Sequence, residues 1–548
     1  MSQNARITFL PLRRVGFVPH GITLLEAANR LGLGFEGPCG GAGRCGKDIV
    51  QIRRNGRLDT VLACRTPVES DLEVMVPCHE TNCLKAVEGF LARKADACEV
   101  NPSIRKVFAS SDGGTGLTSV YFDKNLLTIE TGDTSDKIFG MALDLGTTTL
   151  VASLVDLNNG VVLGNSSTLN PLVCYGHDVI SRIRYSTLHR DGLQRMHQEL
   201  ISAVSLLINI LISHHEVDPE EIYQLAAAGN TTMQHIFLNR PIKSLGEYPY
   251  RAEMLDGCTT PSGKLALQIN ARAPVTIFPC LSAYVGGDIV AGLIATDVKD
   301  LERPALFIDI GTNGEMVLLT RDRILATSCA AGPCFEGMTI SWGMRAEEGA
   351  IESVALGDQL LLKVIGGVTA KGICGSGLLE LISELLRLGL INRRGRLRSA
   401  NDTALPAVWR TRLFEKEGRR HFRLADGISV SQEDIRQVQL ARAAIRTGVE
   451  LLLSESGIKA EDLQNIIIAG GFGYHLSTEA IFRIGLIPEM PQAVLHYVGN
   501  SSLEGARRML LIERVREQSA NIAKGAAVIE LSNLEGFEAR FVAEMHFG

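Results

Sequence analysis

Two stretches decide the fold of this chain: Ala142-Leu143-Asp144-Leu145-Gly146-Thr147-Thr148 and Phe307-Ile308-Asp309-Ile310-Gly311-Thr312-Asn313. Each is an apolar run ending in Asp-apolar-Gly-Thr, the pattern of a strand that stops at a glycine turn. Their aspartates stand 165 residues apart (309 − 144), as expected of a duplicated unit with two lobes and a cleft between them. A third apolar strand, 465–468, runs into Ala469-Gly470-Gly471-Phe472-Gly473. Long amphipathic helices are predicted over 194–214 and 431–456. The second is entered by Ser431 with Asp434 three residues on, and is left through Gly457. Strands alternating with helices favour mixed α/β layers.

The 548 residues carry 55 Lys+Arg against 61 Asp+Glu, a net charge of −6, which argues against a nucleic-acid-binding protein. Apolar runs such as 204–212 are too short to span a bilayer, and the first residues, MSQNARITFL, lack a signal pattern. A cytoplasmic protein with no membrane segment is expected. Six of the twelve cysteines fall within the first 98 residues and none follows Cys374, so sulfur chemistry is expected at the N-terminal end.

The glycine turns suggest phosphate binding. A strand that ends in Gly-Thr exposes backbone N–H groups, and threonine hydroxyls add donors. Gly146, Thr147 and Thr148 in one lobe and Gly311, Thr312 and Asn313 in the other are the candidates to hold phosphates. Asp144 and Asp309 are candidates to position Mg²⁺, through water, and the attacking water. Glu315 is either a further ligand of that kind or the partner of a base on its strand. Gly470, Gly471 and Gly473 would let a flat nucleoside lie against the backbone. In this order the three elements resemble the acetate and sugar kinase, Hsp70 and actin superfamily, which implies ATP bound between duplicated lobes.

The N-terminal signal is Gly37-Pro38-Cys39-Gly40-Gly41-Ala42-Gly43-Arg44-Cys45-Gly46-Lys47-Asp48, followed by Cys64. The spacing resembles a [2Fe–2S] ferredoxin, in which three ligands come from one tight loop and one from a distance. The third loop position holds Asp48 instead of cysteine. Asp48 ligates iron through oxygen, or Cys78 or Cys83 supplies the fourth ligand, or the cluster is lost; all three readings stay open. Thr23 and Glu26 read as a capping box, and 48–53 and 71–76 as short strands.

A ferredoxin-like unit joined to such an ATP unit resembles the reductive activators of corrinoid-dependent methyltransferases. Ala228-Gly229-Asn230-Thr231-Thr232-Met233, Val285-Gly286-Gly287-Asp288, Phe335-Glu336-Gly337-Met338, Gly372-Ile373-Cys374-Gly375-Ser376-Gly377 and Val498-Gly499-Asn500-Ser501-Ser502-Leu503-Glu504-Gly505 support the likeness. It implies an α/β multidomain chain. A β-grasp ferredoxin-like domain spans 1–85 and a linker spans 86–138. A duplicated, actin/Hsp70-like ATPase follows, with lobes 139–304 and 305–548. The implied ligands are a [2Fe–2S] cluster on Cys39, Cys45, Asp48 and Cys64, ATP and Mg²⁺. The implied partners are a corrinoid protein and an upstream electron donor, and the implied activity is one-electron return of Co(II) to Co(I). The alternatives are a small-molecule kinase and an ATP-dependent partner-remodelling factor. Residues 390–423 hold ten Lys+Arg against three acids and read either as a solvated insertion or as a docking surface for an acidic partner.

Overall fold

The computed structural model describes residues 4–10, 14–30, 49–54, 57–75, 100–111, 114–297, 303–470, 477–490 and 492–547. At the N-terminal end β1 (Asn4–Leu10) and β2 (Arg14–Pro19) form a hairpin. They are followed by α1 (Leu24–Arg30), β3 (Ile49–Arg54), β4 (Arg57–Leu62) and β5 (Leu72–Met75). The strand order is β2-β1-β5-β3-β4 with β1 and β5 parallel at the centre, which is a β-grasp arrangement. Ile7, Phe9, Val50, Ile52 and Val74 alternate onto Leu24, Ala27 and Ala28 of the helix. Thr23 Oγ1 accepts the Glu26 N–H, the cap expected of this pair.

The stretch expected to be a linker with one hairpin contains, among its described residues, three strands. They are β6 (Ile104–Ser111), β7 (Gly114–Phe122) and β8 (Asn125–Thr131), an antiparallel sheet. The alternation escapes a hydrophobic reading because inward positions carry Lys106, Thr118 and Glu130. Lys106 Nζ pairs with Glu130 at 2.9 Å and lies 4.3 Å from the Tyr223 ring centre, and the Tyr223 hydroxyl also donates to Glu130. Elsewhere Arg105 pairs with Glu513 at 3.1 Å, and Arg516 bonds Asp123 and Ser103. The sheet is therefore fastened to both halves of the remaining chain.

The first lobe has the sheet β9 (Phe139–Leu145), β10 (Thr149–Asp156), β11 (Val162–Leu169), β12 (Ile222–Gly229), β13 (Cys258–Pro261) and β14 (Pro274–Ile277), in the order 11-10-9-12-14-13. Its helices are α2 (Val179–Leu188), α3 (Gly192–His214), α4 (Thr231–Phe237) and α5 (Gly287–Ala295). By length and composition α3 could cross a membrane, but Met196, Leu200, Val204, Leu207 and Leu211 are buried against Leu143, Leu154 and Leu225 of this sheet.

The second lobe repeats the plan. Its sheet comprises β15 (Ala305–Ile310), β16 (Gly314–Leu319), β17 (Ile324–Cys329), β24 (Asn465–Ala469), β25 (Val494–Gly499) and β26 (Ala526–Val528), in the order 25-24-15-16-17-26. Two small sheets intervene in sequence, β18 (Ala350–Leu356), β19 (Leu360–Val364) and β20 (Gly372–Ile373), then β21 (Leu413–Lys416), β22 (Arg419–Ala425) and β23 (Ile428–Ser431). The helices are α6 (Gly375–Arg387), α7 (Gln432–Ser456) and α8 (Ser501–Leu511). Ser431 and Asp434 form the expected capping box on α7, and Gly457 leaves it at φ +71°. In each lobe a three-strand antiparallel meander is joined on its first strand by a parallel strand, β12 on β9 and β24 on β15. The basic insertion is folded over β21–β23 and partly neutralises itself, with Arg419 on Glu433, Arg420 on Glu415 and Arg423 stacked over Phe414.

The lobes meet where α5 and α8 cross. Ala142, Ala226 and Ala228 of the first sheet and Phe307, Val317 and Ile467 of the second enclose Ile289, Val290, Leu503, Ala506 and Leu510 in one shared core. A Cβ on Gly505 would overlap the Ala291 carbonyl, and one on Gly292 would lie 2.7 Å from Phe307. The helices therefore touch backbone to backbone. Gly505→Leu should cost about 1–3 kcal/mol or more of stability, the range for overpacking. Gly525→Ala, where nothing lies within 4 Å, should be neutral to slightly stabilising. Urea melts of both variants check this, and equal effects would refute the close crossing.

Candidate active site

Both glycine turns arise from the same local logic. β9 and β10 pair Leu145 with Leu150, and a Cβ on Gly146 would overlap the Thr149 carbonyl, so the turn closes only around glycine. In the second lobe Asp309 pairs with Glu315 across β15 and β16, and the Gly311 N–H donates to the Asn313 carbonyl at 3.0 Å. The two aspartates thus stand at equivalent strand ends, facing each other across the α5–α8 crossing.

The structure brings the three proposed acids together and adds others. Asp144 is half-buried, and its oxygens accept from Asn500 Nδ2 and Ser502 Oγ, both at 2.8 Å. Those donors open α8, so the first strand end is bonded across the lobe boundary. Burial raises the Asp144 carboxyl pKa against these two bonds. Burial pushes Asp309 up to about 7, with Asp144 and Glu336 adding to it. Asp288, in the first turn of α5, rises to about 8 through burial and then through Asp309 and Asp144. Glu315 lies well above the usual carboxylate range from burial, with Asp288 and Asp309 adding. No base pairs with Glu315 among the described residues, so the salt-bridge alternative for it is set aside.

Five carboxylates with no base acting on them among the described residues form an environment a divalent ion would neutralise. Among the described residues no three acid, histidine or cysteine side chains converge closely enough to hold one ion directly. An ion kept at a distance by its own water shell, as Mg²⁺ is, fits this set.

The hydroxyls have defined partners. Thr147 Oγ1 accepts from Asn230 Nδ2 at 2.8 Å, and Thr312 Oγ1 donates to Glu336 Oε1 at 2.7 Å. Gly470 ends β24 at φ +109°, and a Cβ there would lie 3.3 Å from Asp309 Oδ1 and overlap the Ile310 carbonyl. It therefore lines the floor beside the second turn. Gly471 and Gly473 lie outside the described residues, as do Cys39, Cys45, Asp48, Cys78 and Cys83. Cys64 is described. It is buried in a short turn after β4, and β3–β4 pairing sets Ile49, the first described residue after the cysteine loop, opposite Leu62. Cys64 thus follows, by two positions, the residue of β4 that Ile49 faces.

Sequence reasoning did not assign Asp288, Glu336, Asn500 or Ser502 to the site. All lie within stretches that were singled out, but only the folded register aims them into the cleft. Gly375 and Gly377 fit close packing, since a Cβ on either would overlap the carbonyls of Phe335 and Ile351. Cys329, Cys334 and Cys374 are buried thiols whose pKa burial raises.

Residues 303–548 match a family model described as the C-terminal domain of RACo, the ASKHA domain, and residues 139–301 match one described as the RACo middle region. The chain is 30% identical to the corrinoid activation enzyme RamQ of Eubacterium limosum, over 94% of this chain and 95% of that protein. It belongs to the RACo family of corrinoid activators. It is also 27% identical to the [Co(II) methylated amine-specific corrinoid protein] reductase of Methanosarcina barkeri, over 75% of this chain and 77% of that one. A solved structure of a reductive activator for a corrinoid, iron–sulfur protein superposes with a TM-score of 0.76 at 32% identity, covering 99% of this chain and 98% of that one. The family's ASKHA domain carries the second turn and the β24 glycine, and its middle region carries the first turn.

The raised carboxyls have a pH consequence. In the fold they hold protons at pH values where the unfolded chain has lost them. Stability from these groups is therefore complete at low pH and is lost as pH rises through about 7 and about 8. Melts of nucleotide-free protein should show a lower Tm at about pH 8.5 than at about pH 6, with Asp288→Asn and added Mg²⁺ each narrowing the gap. A gap unaffected by both would remove the acid cluster as its cause.

Proposed function

We propose that this chain is an ATP-dependent reductive activator that returns the inactive Co(II) state of a methyltransferase corrinoid protein to Co(I) by one-electron transfer. The full-length likeness to proteins named for that role, N-terminal unit included, carries the reading. In this reading Cys39, Cys45 and Cys64, with Asp48 or a cysteine from 78 or 83, hold a [2Fe–2S] cluster, which would supply one electron at a time. An upstream donor, not identified by the sequence, refills it.

ATP enters between the two glycine turns. Gly146, Thr147 and Thr148 face its phosphates from one lobe, and Gly311, Thr312 and Asn313 face them from the other. Gly470, Gly471 and Gly473 accommodate the nucleoside. Mg²⁺ would supply the positive charge that the acid cluster lacks. Asp309 takes a proton from water as it attacks the γ-phosphorus, giving ADP and inorganic phosphate. Asp144 and Glu315 orient the ion's water shell. Asp144 has acceptor capacity left beside its bonds to Asn500 and Ser502, so it links the cleft to the start of α8 while both bonds stay in place. Cobalt reduction is uphill by about a factor of ten per 59 mV, so a conformational step driven by ATP has a definite task.

The test combines two readouts. Anaerobically purified protein should contain about two irons and two sulfides per chain and give a rhombic S = 1/2 signal after reduction. With ATP, Mg²⁺ and a reductant it should convert a Co(II) corrinoid protein to Co(I), seen by absorbance, while releasing free phosphate. Asp309→Ala should lower both rates by about 100-fold or more with iron content unchanged. Protein that hydrolyses ATP but holds no iron after reconstitution would favour the partner-remodelling alternative, and a phosphorylated small-molecule product would favour a kinase.

A further inference from the structure

The first glycine turn is held from behind in a way that nothing in its own sequence requires. Three successive carbonyls of the turn are bonded by Asn170 and Arg182. Asn170 Nδ2 donates to the Gly146 carbonyl at 2.8 Å, Arg182 Nη2 to the Thr147 carbonyl at 2.6 Å, and the Asn170 N–H to the Thr148 carbonyl at 2.8 Å. Carbonyls drawn one way leave the peptide N–H groups turned the other way, toward the space between the lobes.

Arg182 is fully buried, with its other donors on the Gly176 carbonyl at 3.0 Å and on Met233 Sδ at 3.0 Å, a weak acceptor. No carboxylate pairs with it among the described residues. Asp178, the nearest acid in sequence, caps α2 through Ser181 N at 2.8 Å and Ser181 Oγ at 2.9 Å. A buried cation without a counter-charge is costly unless something anionic arrives. Burial lowers its pKa only to about 10, against opposing effects of Cys174 and Asp178, so it stays charged at neutral pH. The acid cluster around Asp309 repels phosphates, and Arg182 lies on the turn that must attract them.

We propose that Arg182, assisted by Asn170, is the positioning residue of the first phosphate turn, and that its unpaired buried charge makes the cleft prefer a nucleoside triphosphate to a diphosphate. This rests on the ATP reading above. Asn170 Nδ2 lies 3.8 Å from the same Met233 sulfur that Arg182 touches, so Asn170→Asp brings a carboxylate into the guanidinium's neighbourhood. That variant neutralises the charge from inside and removes one carbonyl tie, while its side-chain oxygen can still accept the Leu172 N–H.

Calorimetric titration of full-length wild type, Asn170→Asp, Arg182→Met and Arg182→Lys with Mg·ATP and Mg·ADP tests it. ATP affinity should fall roughly tenfold or more in Asn170→Asp and Arg182→Met, the scale of one charge-assisted hydrogen bond. ADP affinity should fall by a smaller factor, Arg182→Lys should be intermediate, and Asn170→Asp should fold with a lowered Tm, since it loses the bond to the Gly146 carbonyl. Equal losses for ATP and ADP, or no loss, in folded Asn170→Asp would overturn the proposal, and that variant decides the matter even where Arg182→Met does not fold. Wild-type protein that binds neither nucleotide would instead overturn the ATP reading and this proposal with it.

Discussion

The α5–α8 contact is the constraint on which the rest of the molecule depends. Gly505 lies against the Ala291 backbone, and the alanines of β9 and β12 make room on one side. Because no side chain separates the helices, the two sheets approach closely enough for their strand ends to face one another. The half-buried Asp144, Asp288 and Asp309 and the buried Glu315 then act on one another's charge. Glu504 anchors the crossing by bonding Arg507 and Arg508, and Arg508 reaches the Ile294 carbonyl and Asp297 at the end of α5. The same contact that joins the lobes therefore creates the electrostatic problem that a nucleotide and a cation would relieve.

Much of this was legible in the chain. The repeat around Asp144 and Asp309 holds as equivalent positions in two like sheets, down to the penultimate residue of β9 and β15. The capping pairs at Thr23 and Ser431 hold as hydrogen bonds. These features are local, set by periods of two and 3.6 residues and by turn chemistry.

What the sequence hid was non-local or carried by polar side chains. The β6–β8 sheet turns Lys106 and Glu130 inward, where a hydrophobic pattern has none to offer. Asn500 and Ser502 reach Asp144 over more than 350 positions of chain, a pairing no spacing rule predicts. Asp288 sits in a Gly-Gly-Asp stretch that looks like a turn until α5 is seen to start there and aim it at the other acids. Arg182 reads as one basic residue on an amphipathic helix, and only its complete burial distinguishes it.

The β6–β8 sheet also changes how motion must pass through the molecule. It is bonded to the first lobe through Glu130–Tyr223 and through Arg272 Nη1 on the Leu127 carbonyl, and to the chain beyond α8 through Asp123–Arg516 and Arg105–Glu513. A freely swinging tether spanning 86–138 is incompatible with those anchors from residue 100 onward. A change in the angle between the lobes must either carry this sheet or strain its bonds, because it is tied to both. The ion pairs of this sheet differ in exposure: Arg105–Glu513 is open to solvent and weakens with salt, whereas the Lys106–Glu130 pair within the sheet is shielded and persists.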